Sequence, residues 1–280
     1  MNILGIDIGG TNIKYRLEDS DGEVVDFGLI PSEGKLGADR LIQNIYKLCD
    51  RFQFDLLGVS TAGIIGEEGE IVFASDNIPN YSGTKLRQIL NEKYGVPVFV
   101  VNDIPASALA EYDGEKGDYY FLALGTGVGG IHVIDGKIVM GTKNQAGQIG
   151  ALPNKDGATD IDKAVSTKGL ERLAGMDGRT VFEKAQNNDK QALAALGKWC
   201  EEIAYVLAHI AGYVNPSKIV IGGGVSEQGE VLLNYIRQKL DLIPFPYRNT
   251  FELATAKNKT YSGAIGAVKY AKEKFNEYFK

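Results

Sequence analysis

The chain has 280 residues, of which 44% are hydrophobic, and its formal net charge is -6 with no conspicuous cluster of lysine and arginine. This length is enough for one large core or for two domains of ordinary size. The acidic balance makes nucleic acid and anionic membranes poor candidates for the main partner.

The cysteine content and the apolar segments predict a cytoplasmic protein. Cys49 and Cys200 lie far apart, so we expect neither a disulfide scaffold nor a thiolate zinc site, and a reducing compartment fits. Asp7 interrupts the first apolar run and no basic residue precedes it, so we expect no signal peptide. The longest apolar helical segment, residues 203–214, is too short to span a bilayer.

The first part of the chain alternates predicted strands with predicted helices, as a wound α/β layer does. Runs of β-forming apolar residues predict the strands, and apolar residues three and four apart predict the helices. A strand–glycine turn–strand hairpin over residues 3–15 is followed by strands over 23–30, 54–60, 70–74 and 96–101, and by helices over 38–52, 82–94 (capped by Ser82) and 105–112.

A polar, glycine-rich stretch at residues 113–118 predicts a domain boundary. Beyond it, strand, Gly/Thr turn, strand, Asp-Gly turn and strand repeat the pattern of residues 3–25, which indicates an internal duplication. We therefore predict an α/β protein with residues 1–113 plus 262–280 in one domain and residues 114–261 in the other. The second domain should contain strands over 119–124, 131–134, 137–140, 218–221 and 251–255, a turn over 125–130, and helices over 160–174, 180–186, 190–214 and 227–240, with a last helix over 261–279.

The opening hairpin carries the residue types that bind magnesium and phosphate. Asp7 ends a buried strand, where an unpaired charge costs several kcal/mol. Gly9 and Gly10 let the backbone turn tightly and approach a ligand. Thr11 and Lys14 add a hydroxyl and a cation, so the set suits Mg²⁺ and phosphate. The alternative is an ordinary hairpin with a capping aspartate.

Residues 125–130 match GxGxxG literally, which invites a dinucleotide interpretation. That fingerprint requires a helix directly after the glycines, whereas here a strand and an Asp-Gly hairpin follow. We therefore interpret the segment as a second phosphate loop, with backbone N–H groups and the Thr126 hydroxyl facing a phosphate. A plain hairpin turn is the alternative.

Two further segments have competing interpretations. Asn102-Asp103 follows an apolar strand, and Asp103 is either only the N-cap of the next helix or also a catalytic base that grips a substrate hydroxyl. A helix N-terminus should lower the basicity of this carboxylate, so proton transfer would come late, as suits phosphoryl transfer. Gly222-Gly223-Gly224 either admits adenine or phosphate against bare backbone or forms a tight strand-to-helix turn.

Seven motifs in this order resemble the ROK family of sugar kinases and repressors, within the sugar kinase/actin/Hsp70 ATPase fold. The resemblance runs nearly end to end, and it implies two α/β domains closing on a sugar, with ATP–Mg²⁺ in the cleft, in a homodimer. The motifs are Asp7-Ile-Gly-Gly-Thr11, the Ser60–Ile64 loop, Asn102-Asp103 with Ser107-Ala-Leu-Ala-Glu111, Leu124-Gly-Thr-Gly-Val-Gly-Gly130, Ala146-Gly-Gln-Ile-Gly150, Ile219-Val-Ile-Gly-Gly-Gly-Val225 and Ser262-Gly-Ala-Ile-Gly266.

The resemblance also implies roles for individual residues. Asp103 corresponds to the catalytic aspartate, and Asp7 would hold Mg²⁺ through ATP. Phosphate contacts fall on Gly9, Gly10, Thr11, Gly125, Thr126, Gly127 and Gly129, adenosine contacts on Gly222, Gly223 and Gly224, and substrate contacts on Gly63, Asn77, Asn102, Asp103, Gln148 and Asp162.

Three departures from the family pattern bear on the substrate. Residues 153–166 contain no cysteine where the family commonly has a zinc module, so we expect no zinc. Gln148 and Ala151 stand where the family has a sugar-binding Glu and a His, and Asp162 stands where it has another Glu. A smaller, less charged wall on the C1 side leaves room for a substituent, as in zinc-less β-glucoside kinases and some N-acylhexosamine kinases.

The resulting hypothesis is an ATP-dependent kinase that phosphorylates the 6-hydroxyl of a hexose or hexose derivative, such as glucose, an N-acylhexosamine or a β-glucoside. A ROK repressor needs an added N-terminal helix-turn-helix, and this chain opens directly on a strand. A non-catalytic sugar or nucleotide sensor is a second alternative, motivated by Gln148 and Ala151. A third is an actin-like or Hsp70-like ATPase that uses no sugar.

Overall fold

The computed structural model describes residues 1–114, 117–244, 246 and 250–278. The chain forms two compact units, each with its own hydrophobic core. The first unit comprises Met1–Asp113, Met140–Gln145 and Thr260–Lys280, and the second comprises Gly114–Val139 and Ala146–Lys259. Within the described residues, no helix is both long enough and apolar enough to cross a bilayer.

The first unit is a mixed sheet with helices on both faces. The strand order is β3-β2-β1-β4-β7, and a separate pair is formed by β5 and β6. The strands are β1 (Ile3–Ile8), β2 (Asn12–Glu18), β3 (Val24–Pro31), β4 (Leu56–Thr61), β5 (Ile64–Ile65), β6 (Ile71–Phe73) and β7 (Val98–Asn102), and the helices are α1 (Ala38–Cys49), α2 (Leu86–Tyr94), α3 (Asp103–Glu111) and α9 (Ser262–Tyr278).

The second unit repeats this sheet with different helices. Its strand order is β10-β9-β8-β11-β12. The strands are β8 (Asp118–Leu124), β9 (Val128–Ile134), β10 (Lys137–Ile138), β11 (Lys218–Gly222) and β12 (Glu252–Thr255), and the helices are α4 (Ile161–Val165), α5 (Thr167–Ala174), α6 (Gly178–Gln186), α7 (Lys190–Tyr213) and α8 (Glu230–Leu240).

The two sheets have the same topology strand for strand. In each, the first strand of the unit pairs antiparallel with the second, and the second pairs antiparallel with an edge strand; two parallel strands complete the sheet on the other side of the first strand. The predicted duplication of a β-hairpin core is therefore confirmed. All six residues of β4 are buried, which is typical of parallel strands covered on both faces.

Four local predictions are wrong, each for an identifiable reason. The predicted helix over 160–174 is two helices, because Ser166 is extended and its side chain caps α5 by accepting from Gly169 N. The helix predicted from Ser82 begins at Leu86, since the Ser82 hydroxyl instead accepts from Ala74 N. The turn over 125–130 is shorter, because β9 begins at Val128. The helix predicted over 227–240 is preceded by a 3-10 turn at Gly224–Gln228.

The last helix, α9, packs against β1 and β4 at backbone contact distance. A Cβ atom added at Gly5 would lie 2.4 Å from the Ala264 carbonyl oxygen, and one added at Gly58 would lie 2.1 Å from the Ala267 carbonyl oxygen. Both distances are far below ordinary contact, so two strand glycines decide how close the helix lies to the sheet.

We predict that Gly58→Ala lowers the free energy of unfolding by ~1–3 kcal/mol or more, because the methyl group has no space under α9. Gly212→Ala is the matched control, since Gly212 lies in α7 with nothing within 4 Å of its added Cβ. That variant should gain about 0.5–1 kcal/mol from helix propensity. Urea unfolding of both variants tests the packing, and a Gly58→Ala protein as stable as the parent would contradict it.

Candidate functional site

The carboxyl ends of three neighbouring parallel strands bring polar side chains together in the first unit. In the register of β1 and β4, Asp7 lies beside Ser60, and in the register of β4 and β7, Thr61 lies beside Asn102. Asp103 follows Asn102 as the first residue of α3. Ligand sites in open α/β sheets commonly form at such strand ends.

Asp7 is a largely buried carboxylate with partners on two sides. Ser60 Oγ donates to Asp7 Oδ1 over 2.7 Å, and Lys14 Nζ lies 3.8 Å from Asp7 Oδ2. Burial raises the pKa of Asp7, while the Ser60 hydrogen bond and the Lys14 charge act in the opposite direction. The predicted need for a partner is met mainly by a buried serine that the sequence analysis did not assign to the site.

Gly263 is a second residue that the sequence analysis did not place here. A Cβ atom at this position would lie 2.3 Å from the Asp7 carboxyl carbon, so only glycine allows the first turn of α9 to approach the carboxylate. The positive end of the helix dipole favours the ionised form of a nearby carboxylate. Gly263 occurs in the motif Ser262-Gly-Ala-Ile-Gly266, which was the available signal.

Asn102, and not Asp103, is the N-cap of α3. Asn102 is extended and its Oδ1 accepts from Ile104 N over 3.0 Å, while its Nδ2 donates to the Gly63 carbonyl oxygen over 2.8 Å. The prediction that Asp103 caps the helix is therefore wrong. Because Asn102 takes the capping position, the Asp103 carboxylate does not serve as the cap and is left for another role.

The pKa of Asp103 is raised from 3.8 to about 6. Burial of the carboxyl group is the largest cause, and the charge of Asp7 adds to it, against hydrogen bonds from Ile104, the Asp103 backbone and Asn102 that lower the pKa. The expectation that the helix N-terminus would lower the basicity of Asp103 is thus wrong in sign, because desolvation outweighs the helix contribution.

The tip of the first hairpin leaves space and donors for an anion. Gly9 N donates to the Asn12 carbonyl oxygen over 3.0 Å and so closes the turn. Within the described part of the chain, the amides of Gly10 and Thr11 donate to no acceptor. The nearest heavy atom to a Cβ built on Gly10 is 3.9 Å away and belongs to exposed Asn77. This open cradle fits a phosphate group.

The tip of the hairpin in the second unit is also exposed and also has backbone amides without an acceptor. Gly125 N donates to the Gly127 carbonyl oxygen over 2.9 Å, and Thr126 and Gly127 are exposed. The amides of these two residues have no acceptor among the residues that the structure describes. Gly129 lies further along, buried in β9 and paired with Ala123.

Packing accounts for two of the three consecutive glycines after β11. A Cβ at Gly222 would lie 2.2 Å from the Phe121 ring, and one at Gly223, where φ is +84°, would lie 2.2 Å from the Leu124 carbonyl oxygen. At Gly224 nothing lies within 4 Å. The inference from three glycines to a ligand therefore rests on Gly224, which is exposed and opens the following 3-10 turn.

The residues predicted to face the C1 side of the sugar differ in their exposure. Gln148 and Ala151 lie on the surface of the second unit at the two ends of a short 3-10 turn. Asp162 is different, because its Oδ1 accepts from Val128 N over 2.5 Å and is thereby tied to the second hairpin.

The donor set around Asp7 fits a magnesium ion bound mainly through phosphate. Mg²⁺ usually keeps several waters and takes one or two carboxylates together with substrate phosphates. Asp7 supplies such a carboxylate beside the open hairpin amides. Elsewhere in the described chain, no three His, Cys, Asp or Glu side chains converge to form a metal-binding group.

The ROK family model matches residues 3–274. A glucokinase of Halalkalibacterium halodurans is 29% identical over 99% of this chain and 97% of its own. An N-acetylmannosamine kinase of Shigella flexneri is 29% identical over 89% of this chain and 94% of its own. The crystal structure of a ROK family glucokinase from Streptomyces griseus, in complex with glucose and AMPPNP, matches with a TM-score of 0.79 and 24% identity over 98% of this chain and 100% of that one.

The duplicated mixed sheet and its helices are those of the sugar kinase/actin/Hsp70-like ATPase fold. Within that fold, this chain belongs to the ROK family. The named relatives above are sugar kinases. The fold class and the family resemblance that the sequence motifs indicated are confirmed.

We predict that Asp103 makes stability depend on pH. Between about pH 4 and pH 6 the folded protein holds a proton that the unfolded chain has lost, so the free energy of unfolding falls as the pH rises through this window. Asp103→Asn abolishes this fall and should therefore gain ~1–3 kcal/mol relative to the parent between pH 4 and pH 7. Urea unfolding at both pH values measures the gain; the same difference at each pH would mean that the pKa is not raised.

Proposed function

We propose that this protein is an ATP-dependent sugar kinase that transfers the γ-phosphoryl group to the 6-hydroxyl of a hexose or hexose derivative. The observation that carries the proposal is the Asp103 carboxyl group, which begins α3 directly after β7 and whose pKa is raised to about 6, mainly by desolvation. The sugar kinase names of relatives that align over nearly the whole chain support the same class.

A carboxylate with a raised pKa is a better general base than an ordinary aspartate, because catalytic efficiency increases as the pKa approaches the working pH. Asp103 would accept a hydrogen bond from the acceptor hydroxyl, orient its oxygen, and take the proton at its carboxylate as transfer proceeds. The Asn102 side chain is fixed by Ile104 N and the Gly63 carbonyl. Its amide group also donates to the Asp103 carboxylate, so Asn102 would hold the proposed base in its orientation toward the acceptor hydroxyl.

Each hairpin, considered by itself, offers backbone donors that suit the phosphates of a nucleotide. Mg²⁺–ATP, when bound, supplies the phosphoryl group. In the first hairpin, the free amides of Gly10 and Thr11 would donate to phosphate oxygens; taken by itself, the second hairpin has the same capacity in the free amides of Thr126 and Gly127. Asp7 would hold the magnesium ion. Preorganised donors of this kind account for much of the catalysis in phosphoryl transfer.

The acceptor is proposed to be a hexose with room for a substituent. The related glucokinase and N-acetylmannosamine kinase are named for a plain and an N-acylated hexose. Gln148 and Ala151 are smaller or less charged than the residues of the family pattern at the same positions, which supports a derivative. The family resemblance also supports a homodimer in the cytoplasm as the working form.

We predict sugar-dependent ADP release with Mg²⁺–ATP for at least one of glucose, N-acetylmannosamine, N-acetylglucosamine, fructose and cellobiose. Asp103→Ala should lower turnover on that sugar by about 10²–10⁴ while ATP binding stays nearly intact, since a general base acts in the chemical step. Coupled-enzyme detection of ADP measures the first effect, and calorimetric titration with ATP measures the second. Sugar binding without ADP release across the panel would instead indicate a sensor.

We also predict that kcat/KM for the sugar falls about tenfold per pH unit below about pH 6, because kcat/KM reports ionisation in the free enzyme and the base must be deprotonated. Initial rates between pH 4.5 and pH 8 measure the profile. A profile that stays flat down to pH 4.5 would argue against Asp103 as the base.

A further inference from the structure

The hairpin between β8 and β9 is anchored from a distant part of the chain. Asp162 in α4 and Thr167, the first residue of α5, reach its backbone on opposite sides of the turn. Neither contact is predictable from spacing, because the partners are 34 and 42 positions apart in sequence. We use the name hairpin clamp for Asp162 and Thr167 with these contacts.

Asp162 holds the β9 side of the turn. Its Oδ1 accepts from Val128 N over 2.5 Å, a charged hydrogen bond that is stronger than one between neutral groups. The same oxygen lies 3.1 Å from a Cβ built on Gly127 and 3.2 Å from one built on Gly150. Both distances are tighter than ordinary contacts, so the carboxylate fits because both neighbours are glycines.

Thr167 holds the β8 side of the turn. Its backbone N donates to the Gly125 carbonyl oxygen over 2.8 Å, and its Oγ1 donates to the same oxygen over 2.9 Å. Thr167 is the first residue of α5, so its N–H lacks an intrahelical acceptor and is available for this contact. Together with Asp162, it fixes the backbone immediately before and after Thr126 and Gly127.

A buried tryptophan in α7 holds the backbone between the two clamp residues. Trp199 is fully buried in α7, and its Nε1 donates to the carbonyl oxygens of Val165 and Ser166 over 3.1 Å each. Val165 is the last residue of α4, and Ser166 alone separates α4 from α5. Through Trp199, α7 therefore positions the junction of α4 and α5, the two helices that carry the clamp residues.

We propose that Asp162 and Thr167 are positioning residues that hold the second hairpin in its phosphate-accepting shape. The proposal rests on the nucleotide role of that hairpin in the proposed function. A loop already fixed in its binding shape loses less conformational entropy on binding, so ordering Thr126 and Gly127 in advance strengthens nucleotide binding. A positioning role for Asp162 differs from the sugar contact that the family resemblance implies for this residue.

Asp162→Asn and Asp162→Ala distinguish the two roles. Asn keeps an oxygen that can accept from Val128 N, so we expect the KM for ATP to stay within about threefold of the parent, whereas Ala should raise it by about five- to twentyfold. The KM for the sugar should change little in both variants. Amide hydrogen exchange of Val128, measured by NMR, should accelerate about tenfold or more in Asp162→Ala only.

Asp160→Ala is the matched control, because it removes a carboxylate from the same segment. Asp160 caps α4 by accepting from Lys163 N, and its side-chain hydrogen bonds within the described residues are made to Lys163 and not to the hairpin. We expect this variant to keep the parental KM for ATP and the parental exchange rate of Val128. If it instead reproduced the effects of Asp162→Ala, the effects would reflect loss of α4 and the clamp would be refuted.

A second pair tests the other half of the clamp. Thr167→Val removes the hydroxyl donor to the Gly125 carbonyl oxygen and should raise the KM for ATP by about two- to fivefold. Thr167→Ser keeps the hydroxyl, so we expect it to keep the parental KM for ATP. A raised sugar KM in Asp162→Asn, with Val128 exchange unchanged in Asp162→Ala, would overturn the proposal in favour of a sugar contact. Failure of the proposed function would be separate: the parent would release no ADP with any sugar, while the exchange measurement would still report on the clamp.

Discussion

The buried carboxylate of Asp7 is the constraint around which the first unit is arranged. A carboxylate at the end of a central strand is costly without partners, and here Ser60 donates to it from the next parallel strand while Lys14 lies across the hairpin. Gly263 leaves space for the start of α9 beside the same group. The charge of Asp7 also raises the pKa of Asp103. One carboxylate thus links strand register, helix packing and the basicity of the proposed base.

The duplicated hairpins are supported in different ways. Asp7 lies two residues before the first glycine of its hairpin turn, and the residue two before Gly125 is Ala123, so the second copy has no carboxylate at the corresponding position. Asp162 supplies one from α4 and binds the hairpin amide at Val128. The two hairpins therefore have carboxylates in different positions: Asp7 lies in the strand before the turn of the first hairpin, whereas Asp162 comes from another element and binds the backbone of the second.

Sequence patterns were reliable where the determining interactions are local. Alternating apolar runs, glycine turns and Asp-Gly turns predicted both hairpins and the duplicated sheet, because these depend on neighbouring residues. The same local reasoning failed at Asp103, where proximity to a helix N-terminus suggested low basicity. Burial and the charge of Asp7, a residue far away in sequence, decide that pKa instead. Ser166 broke a helix that periodicity had predicted as continuous.

By itself, the sequence determined the α/β pattern and the positions of the glycine turns, which follow from spacing along the chain, and the order of its motifs carried the resemblance to the ROK family. Only the tertiary structure decided which side chains share an environment. It paired Ser60 with Asp7, gave the capping role to Asn102, and directed Asp162 to Val128. The physical reason is that desolvation and long-range hydrogen bonds depend on which strands and helices become neighbours, and no local pattern encodes that arrangement.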